Sequence, residues 1–250
     1  MKKINWKNET DKKSSISIEY IFILITIIIV MVLTFLFNSN HNEVFIETSH
    51  LKNVNTLENE VASNYKVKVL NYEELSYYIK VNCIAQTVTI YTCNEKGIYD
   101  IPIKSMICST GKATPVNGVY KTTDKYEWRY LVGNVYGQYA TRITGQILFH
   151  SVPYLKKDKS SLEYWEYDKL GTVASKGCVR LTVEDAKWIY DYCKPGTQVE
   201  FYEDENPGPL GKPEQMKISE YNSELRKWDP TDPDKNNPWL KVEEIKNINE

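Results

Sequence analysis

A cysteine and a histidine stand out as residues that could do chemistry together. Cys178 follows Gly177 and lies shortly before a predicted helix, so consecutive backbone N–H groups can converge near its thiol. Such a group of N–H donors is what forms an oxyanion hole. The alternative for Cys178 is a small buried hydrophobic residue, which is the commonest role of a free cysteine. The local sequence leaves both interpretations open.

His150 ends an apolar segment and is the candidate base. The other two histidines, His41 and His50, precede the predicted folded domain. Imidazole titrates near neutral pH, so it can take a proton from a thiol and return it. The alternative is a histidine that only bonds to the backbone at a strand end. Cys178 and His150 are a candidate nucleophile and base, provided that the fold brings them together.

The elements predicted around this pair are mostly β-strands. Alternation of β-branched and polar residues predicts a hairpin from 78–82 and 87–91. Further strand candidates are 101–108, 118–122, 128–132, 138–143, 146–150 and 197–202. Thr182 as an N-cap, followed by acidic and then periodic apolar residues, predicts a helix that ends at Lys194-Pro195-Gly196. These patterns indicate a mainly β domain, a sandwich or barrel-like fold.

The N-terminal segment carries a long apolar run. Residues 20–37 are 18 residues without charge, Gly or Pro, and as a helix they span about 27 Å, close to a bilayer core. Lysines precede the run and none directly follows it, which places the N-terminus inside. A cleaved signal peptide is the alternative, but Phe35-Leu36-Phe37-Asn38 lacks the small residues of a cleavage site. We expect an uncleaved single-pass anchor in the cell membrane, with the rest of the chain extracytoplasmic.

These patterns divide the chain into five segments. We predict a cytoplasmic tail (1–17), a transmembrane helix (18–37), a stalk (38–76), a catalytic domain (77–203) and a Pro/Asp/Asn-rich extension (204–250). The extension is either wrapped on the domain or a loose tail. Trp228 and Trp239 favour packing, since a solvated tail has no use for them.

Composition argues against two classes of partner. The formal net charge of -2 gives no attraction to nucleic acid. Five cysteines without a C-x-x-C pair, and scattered histidines, give little support for a metal site, and no cofactor is expected. The odd cysteine number leaves at least one free or bonded to another molecule. Cys83 and Cys93 share a predicted hairpin without facing each other, so we do not pair them.

The segment Ser175-Lys176-Gly177-Cys178-Val179-Arg180-Leu181 resembles the Ser/Thr-His-Gly-Cys-apolar-Asn/Arg signature of the L,D-transpeptidase (YkuD-type) catalytic domain. Phe149-His150-Ser151 is similar to the histidine-bearing strand of that family. Residues 109–111 and 114–120 are similar to its Thr-Pro-x-Gly-x-Tyr/Phe region. The similarity runs from about residue 77 to about residue 202. It implies a mainly β fold with one or two short helices, cysteine acyl transfer, and peptidoglycan stem peptides as substrate.

The resemblance also implies roles for individual residues. Cys178 would attack the carbonyl of the third stem residue, His150 would activate the thiol, and Ser151 would orient the imidazole, in one version through its backbone carbonyl. The implied substrate-binding and oxyanion residues are Ser175, Lys176, Gly177 and Arg180. Arg180 would shape the pocket or hold a carboxylate. A structural ion pair is the alternative for it.

Two departures from the family pattern matter. Lys176 replaces the usual histidine, and we expect its charge to lower the pKa of the thiol. The spacing between His150 and Cys178 is longer than usual, and the extra segment 153–170 is rich in Tyr, Trp and Lys. We predict that this segment is a lid or a substrate-lining loop, with Tyr154 and Trp165 as contacts. A solvated insertion is the alternative.

The expected activity is transpeptidation that cross-links peptidoglycan stems. An L,D-carboxypeptidase, which passes the acyl group to water, uses the same residues. An inactive wall-binding scaffold is a third reading, kept open by Lys176. The third stem residue, the acceptor and the oligomeric state stay open.

Overall fold

The computed structural model describes residues 43–46, 66–69, 72 and 75–242 of the 250-residue chain. It divides into two units, Met1–Asn71 and Tyr72–Glu250. In the first unit β1 (Glu43–Ile46) pairs in parallel with β2 (Lys66–Val69), inside the segment predicted as a stalk. The predicted cytoplasmic tail and transmembrane helix lie outside the described residues. The described part of the chain includes no helix that is long and apolar enough to cross a membrane.

Among the described residues, the second unit has two β-sheets, two α-helices that are described from end to end, a 3-10 helix (Leu225–Lys227) and helical residues at 239–242. Its elements in chain order are β3 (Tyr77–Asn82), β4 (Thr87–Cys93), β5 (Tyr99–Ile107), β6 (Gly118–Lys121), β7 (Lys125–Leu131), β8 (Val135–Thr144), β9 (Ile147–Ser151), α1 (Tyr164–Tyr167), β10 (Val179–Leu181), α2 (Val183–Tyr192) and β11 (Gln198–Tyr202). The strand orders are β5-β4-β3-β11-β6 and β10-β9-β8-β7. The mainly β fold with short helices is confirmed. The sequence analysis missed α1 and β10.

The predicted hairpin and the predicted helix are both present. β3 and β4 pair antiparallel, and the side chain of Asn82 accepts hydrogen bonds from two backbone N–H groups of the connecting turn. Thr182 caps α2 by accepting a 3.2 Å hydrogen bond from the backbone N–H of Asp185. The apolar periodicity predicts one buried face with Ala186, Ile189 and Tyr190. Ala186 and Ile189 are buried and Tyr190 is half-buried, while Trp188, outside this periodicity, is buried as well. All five cysteines are free, so Cys83 and Cys93 are not paired.

A first hydrophobic core combines residues of both sheets and α2. Its fully buried members include Ile79, Val81, Val88, Ile90, Met106, Phe149, Val179, Leu181, Ile189 and Val199. Alternate residues of the strands point into it, which is the pattern expected when each sheet has one face on the core. This core fixes β9 and β10, the strands that carry His150 and follow Cys178.

A second hydrophobic core lies under the segment 153–170 and the C-terminal extension. It consists of Ile107, Val152, Tyr154, Leu162, Tyr167, Leu170, Val183, Ile218 and Trp239. The extension therefore packs on the domain through Ile218 and Trp239, as the two tryptophans indicated. The solvated-insertion alternative for 153–170 is wrong, because four of its large side chains are buried in this core: Tyr154, Leu162, Tyr167 and Leu170.

Candidate active site

The register of two parallel strands places Cys178 and His150 on one face. β10 pairs with β9 so that Arg180 lies opposite His150, and Cys178 directly precedes β10. Because alternate residues of a strand face the same side, Cys178, Arg180 and His150 share a face. An offset of two residues across one strand spacing puts the Cα atoms of Cys178 and His150 roughly 8 Å apart. Both side chains line one cavity of about 260 Å³.

The turn before Cys178 is held by side-chain hydrogen bonds. Ser175 Oγ donates to the Cys178 carbonyl at 2.6 Å and accepts from the Gly177 N–H at 3.0 Å. A Cβ at Gly177 would lie 2.9 Å from Ile147 Cδ1, so a larger residue would have to displace this neighbour. Because the Gly177 N–H is already bonded, Gly177 shapes the turn. The N–H groups of Lys176 and Cys178 remain the predicted oxyanion donors.

The upstream landmark of the family pattern packs against the same turn. Thr114 Oγ1 donates to the Gly177 carbonyl at 2.6 Å and accepts from the Gly111 N–H at 2.8 Å. A Cβ at Gly111 would lie 2.1 Å from the Ser175 carbonyl oxygen, so only glycine allows this approach of the two backbones. Residues that are far apart in the chain thus fix the position of Cys178.

His150 is oriented by its neighbour and by a glycine. Its Nδ1 lies 2.5 Å from the Ser151 carbonyl oxygen, which leaves Nε2 as the basic nitrogen when Nδ1 carries the proton. Gly137 lies against the ring, since a Cβ there would be 2.8 Å from Nδ1. Burial lowers the pKa of His150 to about 4, helped by the charge of Arg180 and opposed by the Ser151 carbonyl. The imidazole is therefore neutral at neutral pH, as a base must be.

The thiol of Cys178 is also neutral at neutral pH. Its Sγ donates to the Gln146 carbonyl at 3.4 Å. Burial raises the pKa of Cys178, while a backbone hydrogen bond from Leu148 and the charges of Arg180 and Arg142 oppose the rise. The expectation that Lys176 lowers this pKa is wrong, because Lys176 is exposed and the charges that lower the pKa are those of Arg180 and Arg142. The thiol thus needs a base at the moment of attack.

Arg180 forms an ion pair with a residue of the inserted segment. Its guanidinium donates to Glu166, which also accepts from Lys169 at 2.5 Å. The backbone of Arg180 exchanges two hydrogen bonds of 2.9 Å with Ser109. The ion-pair alternative for Arg180 is therefore present in the structure. Arg180 nevertheless lines the cavity.

The two contacts predicted in the inserted segment do not line the cavity. Tyr154 is fully buried and packs edge-on against Trp128, with 5.4 Å between ring centroids. Trp165 is 43% exposed and packs on Tyr164. Of the segment 153–170, Pro153 alone is among the lining residues. The structure places most of the segment's large side chains in the second core and only Pro153 at the cavity.

The hairpin of β7 and β8 forms the opposite wall, which the sequence analysis missed. Arg129, Tyr130, Leu131, Val132 and Val135 line the cavity from there. Tyr130 and Val132 are 56% and 77% exposed, although both are large and apolar. The available signal for a binding wall was the apolar pair Leu131-Val132 at the end of a predicted strand, directly before the turn residues Gly133-Asn134.

Comparisons with known proteins agree with these landmarks. The family model of the YkuD L,D-transpeptidase catalytic domain matches residues 76–201. A curated protein of Bacillus subtilis (strain 168), named "Putative L,D-transpeptidase YciB", is 37% identical over 126 residues. The matched part covers 49% of this chain and 63% of that protein.

Solved structures with related names are more distant. The LD transpeptidase LdtMt1 in complex with imipenem is 18% identical, with a TM-score of 0.41 over 55% of this chain and 62% of that one. An L,D-transpeptidase from Mycobacterium smegmatis is also 18% identical, with a TM-score of 0.41 over 55% and 61%. The family assignment rests on the family model, which spans both Cys178 and His150. The chain belongs to the YkuD family of L,D-transpeptidase catalytic domains.

Proposed function

We propose that this chain is a peptidoglycan L,D-transpeptidase with Cys178 as nucleophile and His150 as base. The observation that carries the proposal is that the two side chains line one cavity, with the His150 ring held by the Ser151 carbonyl. A neutral imidazole beside a neutral thiol suits proton transfer during attack. The acyl donor is a stem tetrapeptide.

The proposed reaction has two acyl transfers. Cys178 Sγ attacks the carbonyl carbon of the third stem residue while its proton passes to His150 Nε2. The N–H groups of Lys176 and Cys178 stabilise the oxyanion. The C–N bond to the terminal D-amino acid breaks, His150 returns the proton to the leaving amine, and a thioester remains. An acceptor amine then attacks the thioester, loses its proton through His150, and the thiol is regenerated.

The test uses the full chain in detergent with tetrapeptide muropeptides as donor and acceptor. We expect cross-linked dimers, and we expect Cys178→Ala to lower their rate of formation by about 10³-fold or more. Cys93→Ala, which removes a half-buried thiol on the other sheet, is the matched control and should retain activity. A carbapenem should add its mass to the wild type and to Cys93→Ala, but not to Cys178→Ala.

Product masses separate the alternatives. Tripeptide monomers without dimers would mean that water is the acceptor, and the protein would be an L,D-carboxypeptidase. Dimer formation that survives in Cys178→Ala would remove this cysteine from the mechanism. An unreactive wild type that still binds peptidoglycan would be a wall-binding scaffold.

We also propose that residues 18–37 anchor the protein in the cell membrane, with 1–17 inside and the catalytic domain (77–203) and its extension (204–250) at the cell wall. The support is the uncharged run 20–37, with five lysines before it and no Lys or Arg among residues 38–51. The full chain should stay in the membrane fraction after an alkaline carbonate wash, and deletion of 1–37 should release it. Release of the full chain by the wash would contradict the anchor.

A further inference from the structure

The cavity around Cys178 carries positive charge. Arg129, Lys176 and Arg180 line it, and the lining residues include no Asp or Glu. Arg180 is paired with Glu166, so its charge is largely offset. Within the part of the chain that the structure describes, neither Arg129 nor Lys176 forms an ion pair. Arg129 and Lys176 thus line the cavity without an ion-pair partner among the described residues.

These two cations approach the cavity from different elements. Arg129 belongs to β7, and its guanidinium stacks on the Tyr126 ring at 4.7 Å, which limits the positions of the side chain. Asp124 accepts side-chain hydrogen bonds from Arg142 and Tyr126, which lower its pKa. The charge of Arg129 lowers this pKa as well, although the two side chains form no ion pair among the described residues.

Lys176 lies in the turn before Cys178 and reaches towards the β7–β8 hairpin. Its Nζ is 3.9 Å from where a Cβ of Gly133 would be. Arg129 and Lys176 therefore stand on the hairpin side and the cysteine side of one cavity of about 260 Å³.

We propose that Arg129 and Lys176 form a carboxylate-binding site that makes this chain select acyl donors with a free carboxylate next to the scissile bond. This rests on the proposed function. A guanidinium can bind a carboxylate through two parallel hydrogen bonds, and an ammonium adds a point charge. A stem tetrapeptide can present such a carboxylate in two places, on the terminal residue that leaves or on the side chain of the third residue.

The test compares three tetrapeptide donors with the full chain in detergent. One donor has both carboxylates, one has a carboxamide on the side chain of the third residue, and one has a carboxamide at the C-terminus. We expect kcat/KM to fall by about tenfold or more for the donor that lacks the bound carboxylate, which identifies its source. Arg129→Gln and Lys176→Gln should slow the reaction of the complete donor and reduce this discrimination.

Lys96→Gln is the matched control, because it removes one exposed cation from the turn between β4 and β5, outside the cavity lining. It should retain the wild-type discrimination, and the unfolding temperatures of all three variants show that each is folded. Equal rates of the wild type with all three donors, or slowing by Arg129→Gln that is the same for each donor, would overturn the carboxylate site and leave the transpeptidase proposal intact. Absence of turnover with every donor would overturn the transpeptidase proposal itself, and this site with it.

Discussion

The two hydrophobic cores of the domain are built from different kinds of sequence. The first core takes alternate residues from the strands of both sheets, so each strand shows its buried face in the sequence. The second core joins one residue each of β5 and α2, Val152, four scattered residues of the inserted segment and two of the C-terminal extension. No local periodicity predicts such a set. The difference shows that periodic segments define the sheets, while irregular segments can be buried as deeply.

The C-terminal extension also contributes buried carboxylates, and one of them accepts a hydrogen bond from the first residue of α2. Asp229 is fully buried and accepts a 2.9 Å hydrogen bond from the Val183 N–H, while Thr231 Oγ1 accepts from the Glu184 N–H at 3.0 Å. Burial raises the pKa of Asp229 to about 7, against the hydrogen bonds from Thr231 and Val183. The extension therefore completes the N-terminal cap of the helix that follows β10.

A second carboxylate connects the extension to β8, the neighbour of the strand that carries His150. Asp232 accepts a 3.3 Å hydrogen bond from Gln138 Nε2 and pairs with Lys159 at 3.2 Å. The backbone N–H of Gln138 donates to Ser151 Oγ at 2.9 Å. The first core positions the strands of the candidate site, and the hydrogen bonds of Asp232 and Gln138 attach the C-terminal extension to the same strands.

The largest expected effect tests whether the second core is as integral to the domain as the first. Trp239 is 2% exposed, its ring packs on Tyr221 at 4.7 Å, and its Nε1 donates to the Leu225 carbonyl. We expect Trp239→Ala and Phe149→Ala each to lower the free energy of unfolding by about 3–5 kcal/mol, because both leave cavities. Urea unfolding followed by far-UV circular dichroism measures the loss.

Val132→Ala serves as the control, because this side chain is 77% exposed, and it should change the free energy of unfolding by about 0.5 kcal/mol or less. If Trp239→Ala behaves like Val132→Ala while Phe149→Ala does not, the extension is an attached tail and the comparison between the cores breaks down.

A smaller effect, on the acylation rate of Cys178, tests the candidate site apart from the stability of the two cores. Gly137→Ala would place a Cβ 2.8 Å from His150 Nδ1 and displace the imidazole. We expect carbapenem acylation of Cys178 to slow by about 10²-fold, because a displacement near 1 Å is enough to disturb proton transfer. Stopped-flow or mass-resolved acylation kinetics provide the measurement.

Gly97→Ala is the control for destabilisation alone. Gly97 has φ +77° in the turn between β4 and β5, and a Cβ there meets nothing within 4 Å. It should cost about 1 kcal/mol of stability through backbone strain and leave acylation unchanged. Normal acylation in Gly137→Ala would show that this glycine does not position His150.

Much of the site was predictable because its parts are local. The Ser151 carbonyl can reach His150 Nδ1 because the two residues are adjacent. Gly177 directly precedes Cys178, where the turn packs so close to Ile147 that a larger residue would have to displace it. Arg129 was missed because its position across the cavity depends on how the β7–β8 hairpin lies over β9 and β10. Tyr154 was misjudged because an aromatic residue next to Pro153 has no local mark of burial.

The sequence by itself determined the strand alternation, the Thr182 cap and the family landmarks around His150 and Cys178, since each depends on residues close together in the chain. The tertiary structure alone decided which charges act on the thiol and which aromatic residues are buried. Both depend on distances between segments that are remote in sequence, such as Arg180 with Glu166 and Trp239 with the inserted segment. Desolvation also depends on the tertiary structure alone, because burial raises the pKa of the Cys178 thiol despite the cations around it.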